Sequence, residues 1–225
     1  MCLVSVPKLQ NVVIHFHLKR SEEERDKVQI ALETLHGRAR EKKRRRRADR
    51  QPAKTNFFIF RVGSVSFTVF TSTANVIATG IRTKENIDPA VQTFASLLRD
   101  VWREKNISAD LAFSPPVVVN STYSGTICCP DNVKSTCQLL YLWQQEAKKD
   151  PQLAQDNVSL NFRSQFFPSV RVRWSGSRGT INVFNNGKFT LVGVRSDEEA
   201  KVAHQRICAI IAKCLTTTSA VTASA

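Results

Sequence analysis

The chain has 225 residues, 42% of them hydrophobic, with a formal net charge of +14 and a pI near 9.9. That is enough apolar material for one compact domain or two small ones, and the excess of Lys and Arg points to a polyanionic partner. No apolar run approaches the ~18 residues that a membrane-spanning helix needs, and the apolar start is too short for a signal peptide.

Residues 9–18 alternate as a strand does. Ser21 and Glu24 have the spacing of a capping box, and Val28, Leu32 and Leu35 follow at helical intervals, so a helix is expected over 22–36. Arg38 to Arg50 then holds nine basic and two acidic residues, half of the net charge. Within it, Lys42, Lys43, Arg44, Arg45, Arg46 and Arg47 read either as a nuclear-import signal or as a phosphate-binding arm. A β stretch over 57–80 is broken at Gly63-Ser64 and at 71–75 into three antiparallel strands. A helix over 86–104 buries Ile87, Val91, Phe94, Leu98 and Val101.

The second half runs in the same order. A strand is expected over 117–127, a helix over 132–147, a polar stretch over 148–165, and strands over 169–174, 179–184 and 188–194. Ser196 and Glu199 form a second capping box, opening a helix with Ala203, Ile207, Ile210, Ile211 and Cys214 inward. Residues 216–225 read as a frayed, disordered tail. Asn11 and Asn120 stand 109 residues apart, and the Thr79-Gly80 and Val192-Gly193 pairs stand 113 apart. Such self-similarity divides the chain into a first repeat, 1–108, carrying the basic insert 38–50, and a second repeat, 109–215.

One helix stripe per repeat needs one sheet face, and the period of two leaves the other face free. In the second repeat that free face carries Arg171, Arg173, Asn182, Phe184, Thr190 and Val192. A mixture of basic, small polar and apolar side chains suits a nucleic-acid groove, where Arg meets phosphate and apolar tips meet sugars and base edges. Cys2, Cys128, Cys129, Cys137, Cys208 and Cys214 lack zinc-type spacing, and His15 and His17 share a face without a visible third ligand. No metal or cofactor is expected.

These residues resemble the TATA-box-binding protein family over roughly 9–214. The features that carry the resemblance are Phe167-Pro168, then Phe184 before the turn Asn185-Asn186-Gly187-Lys188, and the Asn11/Asn120 pair. The implied fold is α+β: a saddle of two pseudo-repeats, a curved antiparallel sheet with helices on the convex face. The resemblance implies minor-groove binding with apolar wedges and a kinked duplex, for which this family is the standing example. Phe167 and Phe184 would intercalate, with Phe70 and Phe57 as the first-repeat pair; strict counting puts Thr55 rather than Phe57 in the partner position. Base contacts would fall to Asn11, Val13, Ile77, Thr79, Asn120, Thr122, Asn182, Thr190 and Val192. Phosphate contacts would fall to Arg61, Arg82, Arg173, Arg178, Lys188 and Arg195.

The chain departs from the family where Asn182 and Thr68 replace a groove-lining Leu, and where Val192 replaces a Thr. The acidic stretch that docks general factor IIB is replaced by Asn161-Phe162-Arg163-Ser164-Gln165-Phe166, which puts that docking in doubt. Such divergence suits a viral or fast-evolving relative. The expected function is a nuclear transcription initiation factor that binds A·T-rich double-stranded promoter DNA and recruits transcription factors and RNA polymerase machinery. The alternative is an adaptor that kept the fold and lost the groove. An enzyme or RNA-binding protein on a related fold is the third reading. No nucleophile, base and orienter set supports it; the nearest approach is His204, four residues before Cys208.

Overall fold

The computed structural model describes residues 3–19, 24–44, 57–107, 112–128, 135–149, 158–162, 169–174 and 176–222. The class is α+β, as expected. Eleven strands and four helices lie along the chain: β1 (Leu3–Val4), β2 (Lys8–Lys19), α1 (Arg25–Arg44), β3 (Phe57–Val62), β4 (Val65–Phe70), β5 (Asn75–Ile81), α2 (Ile87–Glu104), β6 (Ala112–Phe113), β7 (Val117–Cys128), α3 (Thr136–Lys149), β8 (Val158–Phe162), β9 (Ser169–Trp174), β10 (Thr180–Phe184), β11 (Lys188–Val194) and α4 (Asp197–Thr222) among the described residues. They form two compact units, Asn11–Val119 and Met1–Gln10 with Asn120–Ala225.

In the first unit the sheet order is β3-β4-β5-β2, all antiparallel, with β6 paired to the end of β2. Strand β2 buries Val12, Ile14, Phe16 and Leu18 and turns Asn11, Val13, His15 and His17 the other way. The buried set packs on α2, whose Phe94 is fully enclosed and meets Phe16, Phe60, Phe67 and Phe113 at centroid distances of 4.9–6.3 Å. Enclosing this many rings on one hub removes several hundred Å² of apolar surface from water, roughly 25 cal/mol per Å². Val28, Ala31 and Leu32 of α1 complete the same layer.

The second unit has the order β7-β11-β10-β9-β8, with β1 paired to the end of β7. Ile181, Val183, Phe189, Leu191, Val170, Val172 and Trp174 form one core with Leu140 of α3 and Ala203, Ile207 and Ile211 of α4. Phe189 is seated where a side chain on Gly125 would stand, since a Cβ there would lie 2.4 Å from its ring.

Each repeat is sealed in the same way. Ser5 donates its N–H to Thr126 and accepts the N–H of Thr126 on its hydroxyl, at 2.8 and 2.7 Å. Ser114 does the same with His17, at 2.8 Å for both bonds. Pro7 and Pro116 follow and lack the N–H that would extend the pairing. The leading segment 1–10 thus groups with 120–225, and the compact units are cut elsewhere than the repeat boundary at 108/109.

Several expectations are corrected. Helix α1 runs to Arg44, so the first part of the basic insert is helical backbone; Arg45, Arg46 and Arg47 lie outside the described residues. The polar stretch 148–165 contains β8, an outer strand laddered with β9, whose short alternation of Val158, Leu160 and Phe162 with Ser159 and Asn161 was overlooked. The expected frayed tail is helical to Thr222, because adding a residue to an existing helix costs far less than starting one. The Ser196 cap is present: its hydroxyl accepts the Glu199 N–H at 3.1 Å, while the Glu199 carboxylate takes the Arg195 N–H at 2.8 Å. The Ser21 cap lies outside the described residues.

Candidate nucleic-acid interface

The sheet face away from the helices was expected to carry function, and in each unit its side chains can be read strand by strand. In the first unit, Ile59, Thr68, Ile77 and His15 line up across β3, β4, β5 and β2. In the second, Arg171, Asn182, Thr190 and Ser124 occupy the equivalent row across β9, β10, β11 and β7. The first row is half apolar, through Ile59 and Ile77, and the second wholly polar. In the next row, Arg61 faces Ser66, and Arg173 donates from Nε to the Thr180 hydroxyl at 2.9 Å.

Phe57 and Phe70 are directly opposed across β3 and β4, with ring centroids 6.1 Å apart. Phe57 is 41% exposed. An aromatic pair left this open is not a core pair. Thr55 is outside the described residues, and Phe57 is the residue found on Phe70. In the second unit Phe184 is half-buried and stands opposite Ser169; Phe167 is outside the described residues. A hollow of about 660 Å³ borders Phe184 and is lined also by Lys188, Thr190, Ser124, Thr126 and Lys8.

The two asparagines are built into matching devices. Asn11 Oδ1 accepts the Gly80 N–H, and Asn120 Oδ1 accepts the Gly193 N–H, each at 2.8 Å. Both glycines have positive φ, +86° and +88°, and both lie where the ladder slips register. A Cβ on Gly80 would fall 2.2 Å from the Ser64 carbonyl oxygen, and one on Gly193 2.8 Å from that of Arg178. Only glycine fits, and the bulge frees one N–H for an asparagine to hold. The consequence is electrostatic. With its oxygen engaged, each amide presents its NH₂ end, and neither nitrogen has a protein partner among the described residues. Sequence spacing located these residues but not this orientation.

Charge follows the same division. None of the eleven strands carries an Asp or Glu. Among the described residues every Asp and Glu therefore lies off the strands, while Arg61, Arg171, Arg173 and Lys188 project from strands as exposed side chains. Arg82, Arg178 and Arg195 are exposed beside the strand ends. Val13, Ile77, Thr79, Thr122 and Val192 are half-buried on the free faces. Arg171 was not among the expected contacts, although its alternation with Val170 and Val172 places it there.

Other chemistry is weak. Cys208 Sγ lies 3.6 Å from His204 Nε2, yet burial pushes its thiol up, away from the thiolate a nucleophile needs. Among the described residues no three His, Cys, Asp or Glu side chains are grouped to hold a metal. No described helix is long and apolar enough to cross a membrane.

Comparison with known proteins adds an independent line. Residues 151–214 match the family model described as transcription factor TFIID, or TATA-binding protein (TBP). The solved structure of Methanococcus jannaschii TBP superposes with a TM-score of 0.59 at 16% identity, over 92% of this chain and 98% of that one. This is a TBP fold. No curated protein sequence matches. At that identity the likeness speaks for the fold, while the match over 151–214 makes the second repeat similar to the TBP family. In each unit the open row and the asparagine-held bulge lie on the sheet face that the helices leave bare, and in the first unit so does the Phe57–Phe70 pair.

Proposed function

We propose that the chain is a transcription initiation factor that grips the minor groove of A·T-rich promoter DNA with its free sheet face. Phe57, Phe70, Phe167 and Phe184 wedge base steps and kink the duplex, and the helical side recruits the machinery that assembles on a promoter in the nucleus. The observation that carries this reading is the twin Asn–Gly bulge. The minor groove of A·T pairs offers only acceptors, and both bulges aim amide donors outward by holding the opposite end of the amide. Acid-free strands and the exposed arginines supply the phosphate contacts.

The test is binding to randomised duplexes at two salt concentrations. Enrichment of A·T-rich sites is expected. Six phosphate contacts from Arg61, Arg82, Arg173, Arg178, Lys188 and Arg195 predict a slope of log affinity against log salt of about −5. Sequence-blind binding, whatever its salt dependence, would reject the reading. It would favour an adaptor that binds proteins alone, for which the exposed Tyr141 and Leu142 on α3 offer a surface.

Nuclear entry rests on the basic run. Deleting 42–47 is expected to leave a tagged chain in the cytoplasm; an unchanged distribution would reject the import role.

A further inference from the structure

The two free faces are not chemically alike, and one atom in the second has nothing to bond. Asn182 lies in the middle of the polar row, flanked by Arg171 and Thr190. Its Nδ2 donates to the Thr190 hydroxyl at 3.4 Å, while its Oδ1 is shielded from water and has no hydrogen-bond partner. Leaving a buried acceptor unpaired is costly, and native structures rarely tolerate it without a reason. The equivalent place in the first unit is Thr68, flanked by Ile59 and Ile77, which makes no such demand.

The minor groove has a single donor, the exocyclic N2 amino group of guanine; A·T pairs present acceptors only. The geometry points to Asn182 as a specificity residue that accepts a hydrogen bond from guanine N2, so that the second repeat takes a G·C pair where the first takes A·T. This rests on the DNA-binding reading above and deepens it. The Asn182 side chain is half-buried as a whole, and rotation about the soft Cβ–Cγ torsion would bring its oxygen outward without moving the strand, giving up only the long 3.4 Å bond from Nδ2 to Thr190. The exposed Arg171 beside it holds the adjoining phosphate. Because only one repeat carries this acceptor, a site with a G·C pair in one half is bound in one direction.

The experiment selects duplexes from a random pool with the full chain, then replaces each enriched guanine with inosine. Inosine keeps the major-groove edge of guanine and removes only the N2 amino group. One enriched G·C position is expected, and inosine there should weaken binding about tenfold, as for loss of one hydrogen bond to a buried acceptor. Asn182→Leu should bind the guanine and inosine duplexes equally, whatever its absolute affinity. The inosine arm uses the parent chain, so absence of an inosine effect there overturns the assignment even if the variant folds poorly. A·T-only selection, or an inosine effect that persists in Asn182→Leu, overturns the assignment and leaves minor-groove binding standing. Absence of any sequence selection overturns both.

Discussion

Replacing Phe57 and Phe70 with alanine, together with Phe184→Ala, is expected to abolish DNA bending and weaken binding by on the order of a hundredfold. Wedges that unstack a base step are worth a few kcal/mol through the bent duplex they permit, and ~1.4 kcal/mol is tenfold in affinity. Fluorescence energy transfer between the two ends of a bound duplex reads the bend directly. The same variants separate a wedge from a core ring. Phe57 is 41% exposed, so its truncation should cost little thermal stability, whereas Phe94, with no exposure and four ring neighbours, marks what a core phenylalanine looks like here. A large fall in the unfolding temperature with bending retained would show that these rings serve packing.

Asn11→Asp combined with Asn120→Asp is expected to leave the fold intact and to reduce DNA affinity by at least about a hundredfold. Aspartate keeps the oxygen that accepts the Gly80 and Gly193 N–H groups, and an ionised acceptor strengthens such a bond. It removes the NH₂ donors and sets a carboxylate against acceptor-only base edges and nearby phosphates. Losing a donor contact costs about 1–3 kcal/mol at each site, before charge repulsion is added. Thermal unfolding should shift little or upward, and titration of an A·T-rich duplex should show the loss. Unchanged affinity would mean that these amides never touch the bases.

Much of the site could be read from residue order because it depends on strand parity. Once residues 179–194 are two strands around a turn, Asn182, Phe184, Thr190 and Val192 must share a face opposite Ile181, Val183, Phe189 and Leu191. Parity allowed either Thr55 or Phe57 on that face, and the β3–β4 register sets Phe57 opposite Phe70. Strand β8 was less legible because its alternation of Val158, Leu160 and Phe162 spans only five residues inside a polar stretch, and its form depends on the ladder with β9. The strands β1 and β6 were missed for a similar reason. Two residues carry no period, and what holds each is a serine bonded across the ladder to a residue far along the chain, Ser5 to Thr126 and Ser114 to His17.

The sequence by itself determined the repeat, the α+β class, the basic charge and the set of side chains left on the free faces. These follow from periodicity and composition, which are local and additive. Only the tertiary structure decided which end of the Asn11 and Asn120 amides points outward, that both bulge glycines press against a neighbouring carbonyl, and that Asn182 keeps an oxygen without a donor. Each of those depends on a partner contributed by a strand many residues away, and no local pattern encodes the direction of a hydrogen bond.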